Sequence, residues 1–264
     1  MKILFIGDVM GKPGRKAVDA LLPEIKKEYE PDFVIANAEN LAHGKGITKQ
    51  TLDELLSSGI DFCTSGNHIW AKPEGHDILA QKNSPVIRPA NFPPNVPGVG
   101  IKVIPVGARN VLVINLMGRV FMKEHLDCPF RTLDAILEQY KKEKPAAIIV
   151  DFHAEATSEK NTFGLYADGR VSAVLGTHTH IPTADERVLP KGTAYITDVG
   201  MVGLKNSSIG IEYEGILKTF LDQMPGKFEI PDHGLVFFNA VLLDIDTKDC
   251  HARSIARIQR DIEI

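Results

Sequence analysis

The chain opens Met1-Lys2-Ile3-Leu4-Phe5-Ile6-Gly7-Asp8, and how this stretch reads decides the fold. Its short apolar run, closed by glycine and aspartate, fits a buried strand over residues 2–7. The run is also too short for the hydrophobic core of a signal peptide. Working outward, Gly11 to Gly14 reads as a turn containing Pro13. Residues 15–28 carry helical spacing, with Val18, Leu21, Leu22 and Ile25 on one face. A second strand over 32–36 follows, then a helix from an N-cap at Thr48 to about Ser57. Gly59 ends that helix, and a third strand covers 60–64.

The middle is less regular. Residues 83–98 hold Pro85, Pro89, Pro93, Pro94 and Pro97 and read as an ordered loop or edge segment. Val111 to Leu116 is a strand, 130–142 a helix, and Ala146 to Asp151 a strand, with further strands at 172–176 and 194–197. Residues 235–245 and 252–260 read as a β-hairpin whose second arm alternates apolar and charged residues, so that one of its faces meets water. No repeat, low-complexity stretch or linker interrupts the chain, and one domain over 1–264 is expected. Strand–helix alternation followed by a strand-rich half predicts an α/β fold with two packed sheets and helices outside.

The bulk properties narrow the function classes. A chain of 264 residues, 44% hydrophobic, can bury a sizeable core. A net charge of −4 argues against a strongly basic nucleic-acid binder. It leaves room for a small anionic substrate, because a metal ion can supply positive charge locally. Cys63, Cys128 and Cys250 match no zinc ribbon or C-x-x-C motif and read as free thiols of a reducing compartment. No run approaches the ~18 apolar residues of a membrane span. A cytoplasmic protein is expected.

The chemistry lies at the strand ends, where open α/β sheets collect their ligands. Asp8 follows the first strand, Glu39 and Asn40 the second, and Asn67 and His68 the third. His153 follows the strand ending near Asp151, and His178 and His180 follow the strand ending at Gly176. Alone, each is weak: a single histidine is more often a hydrogen-bonded core residue, and Glu39-Asn40 would pass for a turn. Together, five strand ends deliver an oxygen or nitrogen donor to what is expected to be one edge. Carboxylate, amide and imidazole without thiolate suit manganese, iron or zinc. There are more donors than one tetrahedral ion can use. A carboxylate such as Glu39 can bridge two ions, and such a pair can hold a hydroxide and clamp a phosphoryl group.

This order of residues resembles the calcineurin-like metallophosphoesterases: Asp8, an acid after the second strand, Gly66-Asn67-His68, the lone His153, then Gly176-Thr177-His178-Thr179-His180. Closer still is the YmdB-like branch of bacterial cyclic-nucleotide phosphodiesterases. That resemblance rests on Phe5-Ile6-Gly7-Asp8-Val9, Ala38-Glu39-Asn40, His43-Gly44-Lys45-Gly46 and Arg88-Pro89-Ala90-Asn91-Phe92-Pro93. It rests most heavily on Asp151 through Lys160 and Leu189 through Gly200. The wider superfamily has Asp-x-His first, where this chain has Met10, and Asp where it has Glu39 followed by Asn40. Both departures are similar to the branch.

The resemblance implies a four-layer α/β/β/α sandwich of two packed mixed sheets. It implies two transition-metal ions per chain, iron and/or manganese, with zinc as a further option. Asp8, Asn40 and His180 would hold one ion, Asn67, His153 and His178 the other, and Glu39 would bridge them. His68 would hold no metal and act as general acid. The implied reaction is hydrolysis of a small phosphodiester, a 2′,3′-cyclic nucleotide, to a 3′-nucleotide by in-line attack of the bridging hydroxide. His43, Arg119, Phe121 and Thr157 are candidates for contacts to sugar or base. Other readings stay open: a phosphatase of phosphoproteins or nucleotides, a nuclease, or a metal-bound regulatory protein that binds RNA and hydrolyses weakly. The acidic balance disfavours a grip on long nucleic acid, no membrane association is expected, and a homo-oligomer is left open.

Overall fold

The computed structural model describes residues 1–264. In chain order its first half contains β1 (Lys2–Val9), α1 (Gly11–Tyr29), β2 (Phe33–Asn37), α2 (Lys49–Ser57), β3 (Phe62–Thr64), α3 (Pro73–Ala80), β4 (Ile101–Val106) and β5 (Arg109–Met117). Then come α4 (Pro129–Tyr140), β6 (Ala147–His153), α5 (Thr157–Ala167), β7 (Ala173–Thr177), β8 (Arg187–Val188), β9 (Ala194–Ile196) and β10 (Met201–Leu204). Last are α6 (Tyr213–Asp222), β11 (Leu235–Asp246) and β12 (His251–Glu263). The strands form two six-stranded mixed sheets, ordered β12-β11-β10-β1-β2-β3 and β4-β5-β6-β7-β9-β8.

Four layers follow from where the apolar side chains go. Along β1, Ile3 and Phe5 point into the space between the sheets, where they meet Val113, Ile149 and Leu175. Leu4 and Ile6 point the other way, against Val18 and Leu22 of α1. Both faces of β1 are therefore covered, which is why its sequence is an unbroken apolar run rather than an alternating one. On the far side of the second sheet, Leu112, Val150 and Val174 pack against Leu133 and Ile136 of α4 and Phe163 of α5. The sandwich is helix, sheet, sheet, helix, as expected.

Several boundaries differ from the sequence reading. The helix α1 begins at Gly11 rather than at residue 15. Pro13 lies in its first turn, where the backbone N–H has no intrahelical partner to lose, so the proline starts the helix rather than preceding it. Thr48 is the N-cap of α2, its hydroxyl accepting from Thr51 N, as predicted. Among the strands that run further than expected, β1 extends through Asp8 to Val9, β2 through Asn37, β6 through His153, and β7 through Thr177. The elements β4, β8, β10, α3, α5 and α6 are additions to the sequence reading. The strands β8 and β10 are too short to show a period. The inward face of α5 includes Glu159 and Lys160 beside Phe163 and Ala167, so no apolar stripe marks it.

Where β7 runs beside the chain leaving β9, the two backbones come too close for a side chain. A Cβ on Gly176 would stand 1.7 Å from the carbonyl oxygen of Thr197. The strand must be glycine there for the following residues to reach the sheet's end. Gly176→Ala should therefore lower the stability by about 1–3 kcal/mol or more, as overpacked cores do. Urea unfolding measures this, and an unchanged midpoint would show that the backbones can part at no cost.

Candidate metal centre

The predicted donors do meet, with one correction to the expected geometry: they come from the carboxyl ends of two sheets, not from one edge. The strands β1, β2 and β3 lead to Asp8, Glu39, Asn40, Asn67 and His68, whereas β6 and β7 lead to His153, His178 and His180. The sequence order of ligands could not reveal this, because β4 and β5 begin the second sheet between them. Glu39 Oε1 lies 3.2 Å from His153 Nε2, which is also 3.0 Å from Asn67 Oδ1 and 3.0 Å from His178 Nδ1. Ligand atoms of Glu39, His153 and His178 all fall within 4.8 Å of one another. Beside them, Asp8 Oδ1 is 4.0 Å from His180 Nε2 and 3.9 Å from His153 Nδ1.

Each histidine is turned inward by a partner on its other nitrogen. Thr177 donates its hydroxyl to Asp151 Oδ1 at 2.6 Å, so its oxygen is left to accept from His153 Nδ1 at 2.9 Å. Asp151 also accepts from Thr64 Oγ1 and Asn37 Nδ2, which ties β6 to β2 and β3 across the sheets. His178 Nε2 meets Glu155 Oε2 at 3.1 Å. His180 Nδ1 donates to the carbonyl of Ile209 at 3.0 Å. The nitrogens left over, His153 Nε2, His178 Nδ1 and His180 Nε2, all face the carboxylates. Partners of this kind fix tautomer and ring orientation in metal sites.

The electrostatics call for positive charge at the centre. Burial raises the pKa of Asp8, against the pull of His180 and His153. Burial also acts to raise Glu39, yet His153 and His68 outweigh it and leave that carboxylate well below its usual range. Burial alone would lower His153, but Glu39, Asp8 and Asp151 carry it up to about 9. Burial, reinforced by the charge on His153, takes His178 down to about 3. Without a cation, His153 thus carries the compensating proton.

A bound metal fits this donor set on two further grounds. Asp8 Oδ2 accepts from His178 N at 3.2 Å, while Asp8 Oδ1 is buried without any hydrogen-bond partner. An unmatched carboxylate oxygen in the interior is costly, and a cation would match it. Gly66 leaves the necessary space: a Cβ there would stand 2.3 Å from His153 Nε2 and 2.5 Å from Glu39 Oε2. Asn40 behaves differently from the expectation that its oxygen serves the ion shared with Asp8 and His180. Its Nδ2 faces His180 Nε2 at 3.2 Å, and its Oδ1 meets His68 Nδ1 at 3.0 Å. The amide would have to turn over to offer its oxygen to an ion.

A cleft of about 250 Å³ opens onto the centre, lined among others by Met10, Lys45, His68, Glu155, His180 and Ile209. Met10, where the wider superfamily has histidine, is part of its apolar wall. The loop bearing the paired histidines is strained, with φ of +99° at His178 and +68° at His180. A buried ion pair holds it. Lys160 Nζ donates to Asp198 Oδ2 at 2.6 Å and to the Thr177 carbonyl at 2.7 Å, and Asp198 Oδ2 also accepts from Thr179 N at 3.1 Å. Sequence reasoning missed Asp151, Glu155, Thr177, Lys160 and Asp198 as site supports. Their signal is a contact made only in the folded chain.

Two mixed six-stranded sheets between helical layers, with carboxylates, amides and histidines gathered at their carboxyl ends, define a metallophosphoesterase fold. The chain belongs to the YmdB-like protein family, whose model matches residues 4–258. It is 47% identical over 258 residues to a 2′,3′-cyclic-nucleotide 2′-phosphodiesterase of Bacillus subtilis (strain 168), covering 98% of this chain and 96% of that one. A crystal structure of a hypothetical protein from Thermus thermophilus superposes with a TM-score of 0.91 at 45% identity, over 99% of both chains. A phosphatase structure from Mycoplasma pneumoniae superposes with a TM-score of 0.92 at 35% identity, over 100% of this chain and 94% of that one.

The ion pair under the histidine loop has side chains only 1% exposed on either partner. Lys160→Met would strand the Asp198 carboxylate in the interior, which typically costs about 3–5 kcal/mol. The urea midpoint should fall accordingly. A loss below about 1 kcal/mol would mean that the pair does not hold the loop.

Proposed function

We propose that this protein is a metal-dependent phosphodiesterase that opens 2′,3′-cyclic nucleotides at the 2′ oxygen, leaving 3′-nucleotides. The observation that carries the reading is the convergence of three oriented imidazole nitrogens on Glu39, Asn67 and the unpartnered Asp8 Oδ1. In this reading Asn67, His153 and His178 would hold one ion, Asp8, His180 and, with its amide turned over, Asn40 the other, and Glu39 would serve both. Iron and manganese suit the mixed oxygen and imidazole donors, and zinc is compatible with them. Bound ions would draw charge from the phosphate oxygens and lower the pKa of an attacking water. The substrate class is supported by the 47% identity to the Bacillus subtilis enzyme. The inter-sheet core shared by β1, β5, β6 and β7 supports treating residues 1–264 as one domain.

His68 is suited to the leaving group. Its backbone N–H donates to Glu39 Oε2 at 2.8 Å, and its ring Nδ1 lies 3.3 Å from Glu39 Oε1. Both contacts fix the ring from the interior side, and 31% of the side chain remains exposed at the cleft. Nε2 is left to give a proton to the departing 2′ oxygen, which leaves poorly as an alkoxide. Lys45 at the cleft rim can meet residual phosphate charge. A phosphomonoesterase is the second reading, favoured by the likeness to the Mycoplasma pneumoniae phosphatase.

Assays with iron or manganese supplied separate the two. Cyclic nucleotide should be turned over and the 3′-nucleotide should accumulate; further release of inorganic phosphate at a comparable rate would favour the monoesterase. His68→Ala should slow cyclic-nucleotide hydrolysis by about 10²–10⁴-fold, the usual contribution of a general acid. It should slow bis-p-nitrophenyl phosphate far less, since that leaving group needs no proton. Equal losses on both would remove the acid role from His68.

A further inference from the structure

The chain leaves β5 at Met117, whose register partner is His153 at the end of β6. It does not move away from the metal centre at once. Gly118 N donates to the carbonyl of His153 at 3.0 Å. A Cβ on Gly118 would stand 2.6 Å from Ala154 Cβ and 2.6 Å from Glu159 Oε2. The next two amides, those of Arg119 and Val120, both donate to Glu159 Oε2 at 3.0 Å. Glu159 is buried in the first turn of α5, the helix that follows Glu155, and Glu155 is the outer partner of His178. The Arg119 carbonyl then accepts from Met122 N at 3.3 Å, closing a turn with Val120 and Phe121 at its centre.

Phe121 is the wrong residue for that turn on conformational grounds. Its φ is +63°, and turns that need a positive φ at the third position take glycine or asparagine there. For a bulky side chain this region is a genuine outlier and carries a cost in strain. Burial does not offset the cost, because Phe121 is 85% exposed. His43, at φ +55°, carries no such signal, since histidine tolerates this region. A strained backbone that holds a bare aromatic ring over solvent makes sense where the ring meets a ligand.

The position of the ring says which part of a ligand it meets. Three residues span at most about 11 Å, so Phe121 stays near Gly118 and the His153 carbonyl, beyond the carboxyl end of the sheet that carries the histidines. We propose that Phe121 is the stacking platform for the nucleobase of the substrate. With the cyclic phosphate at the metal centre, the base lies one ribose further out, over the Phe121 ring. The proposal rests on the reading of the site as a cyclic-nucleotide phosphodiesterase and adds the residue that meets the base. Stacking uses a π-face, which every base has, so the platform accepts all four bases without hydrogen-bond readout. Glu159 fixes the loop in advance, which limits the ordering cost of binding.

The test compares two substrates on the metal-loaded full chain. One is 2′,3′-cyclic AMP; the other is methyl riboside 2,3-cyclic phosphate, which has a methoxy group where the base would be. Phe121→Gly should raise KM for the nucleotide by about 5–150-fold, the range of a lost base–aromatic stack. Its kcat and the KM of the methyl riboside should not change. The urea midpoint should equal or exceed that of the wild type, since glycine adopts a positive φ freely. Phe121→Trp should keep the low KM. Phe121→Leu, which retains bulk without a ring, should show the same rise as Phe121→Gly and decides the matter if the glycine variant unfolds. An unchanged nucleotide KM in both variants overturns the proposal. So does an equal rise for both substrates, because the loop then serves the phosphate or the sugar. If the wild type binds the methyl riboside as well as the nucleotide, the platform is refuted and the phosphodiesterase reading stands. If it hydrolyses neither, that reading fails and the platform falls with it.

Discussion

Everything at the metal centre depends on which nitrogen each of three histidines turns inward. An imidazole has two, and only a partner on the outer one fixes the choice. His153 is held by Thr177 backed by Asp151, His178 by Glu155, and His180 by the carbonyl of Ile209. Each partner comes from a different part of the fold. The Asp151 carboxylate, itself pushed up to about 6 by burial, also reaches Thr64 and Asn37 and thereby spans both sheets. The orientation of one ring is thus tied to the packing of the whole sandwich.

That packing explains why the interior tolerates so much charge. Asp8, Glu39, Asp151, Lys160 and Asp198 are all buried, an arrangement that persists only where each group is matched. Lys160 and Asp198 match each other. Asp151 is satisfied by hydroxyl and amide donors. Asp8 and Glu39 are matched through histidines, and incompletely: one oxygen of Asp8 has no partner. A hydrophobic replacement would relieve the cost of these groups. Their presence makes physical sense as preorganisation, with the solvation a cation would otherwise need built into the protein.

The fold and the donors were legible in the sequence for the same reason. A strand buried on both faces reads as an unbroken apolar run, and the first polar residue after it marks the sheet's end. Asp8, Glu39, Asn67, His153 and His178 were found that way, and the structure brings them together. The supports were not legible. Glu159 and Lys160 of α5 disguise a buried helix face as a polar stretch, and Pro13 disguises a helix start as a turn. Thr177 lies between a glycine and a histidine with nothing to mark it, and its importance comes from Asp151 and His153, both on the neighbouring strand. That the ligands came from two sheets was hidden as well, because only strand pairing assigns a strand to its sheet.

The most direct test of the centre is elemental analysis of protein purified without added metal and then after equilibration with iron or manganese. Two transition-metal ions per chain are predicted, lost together in the Glu39→Gln variant, since Glu39 is the carboxylate proposed to serve both sets of donors. A saturating content of one ion, or two ions retained by Glu39→Gln, would contradict this.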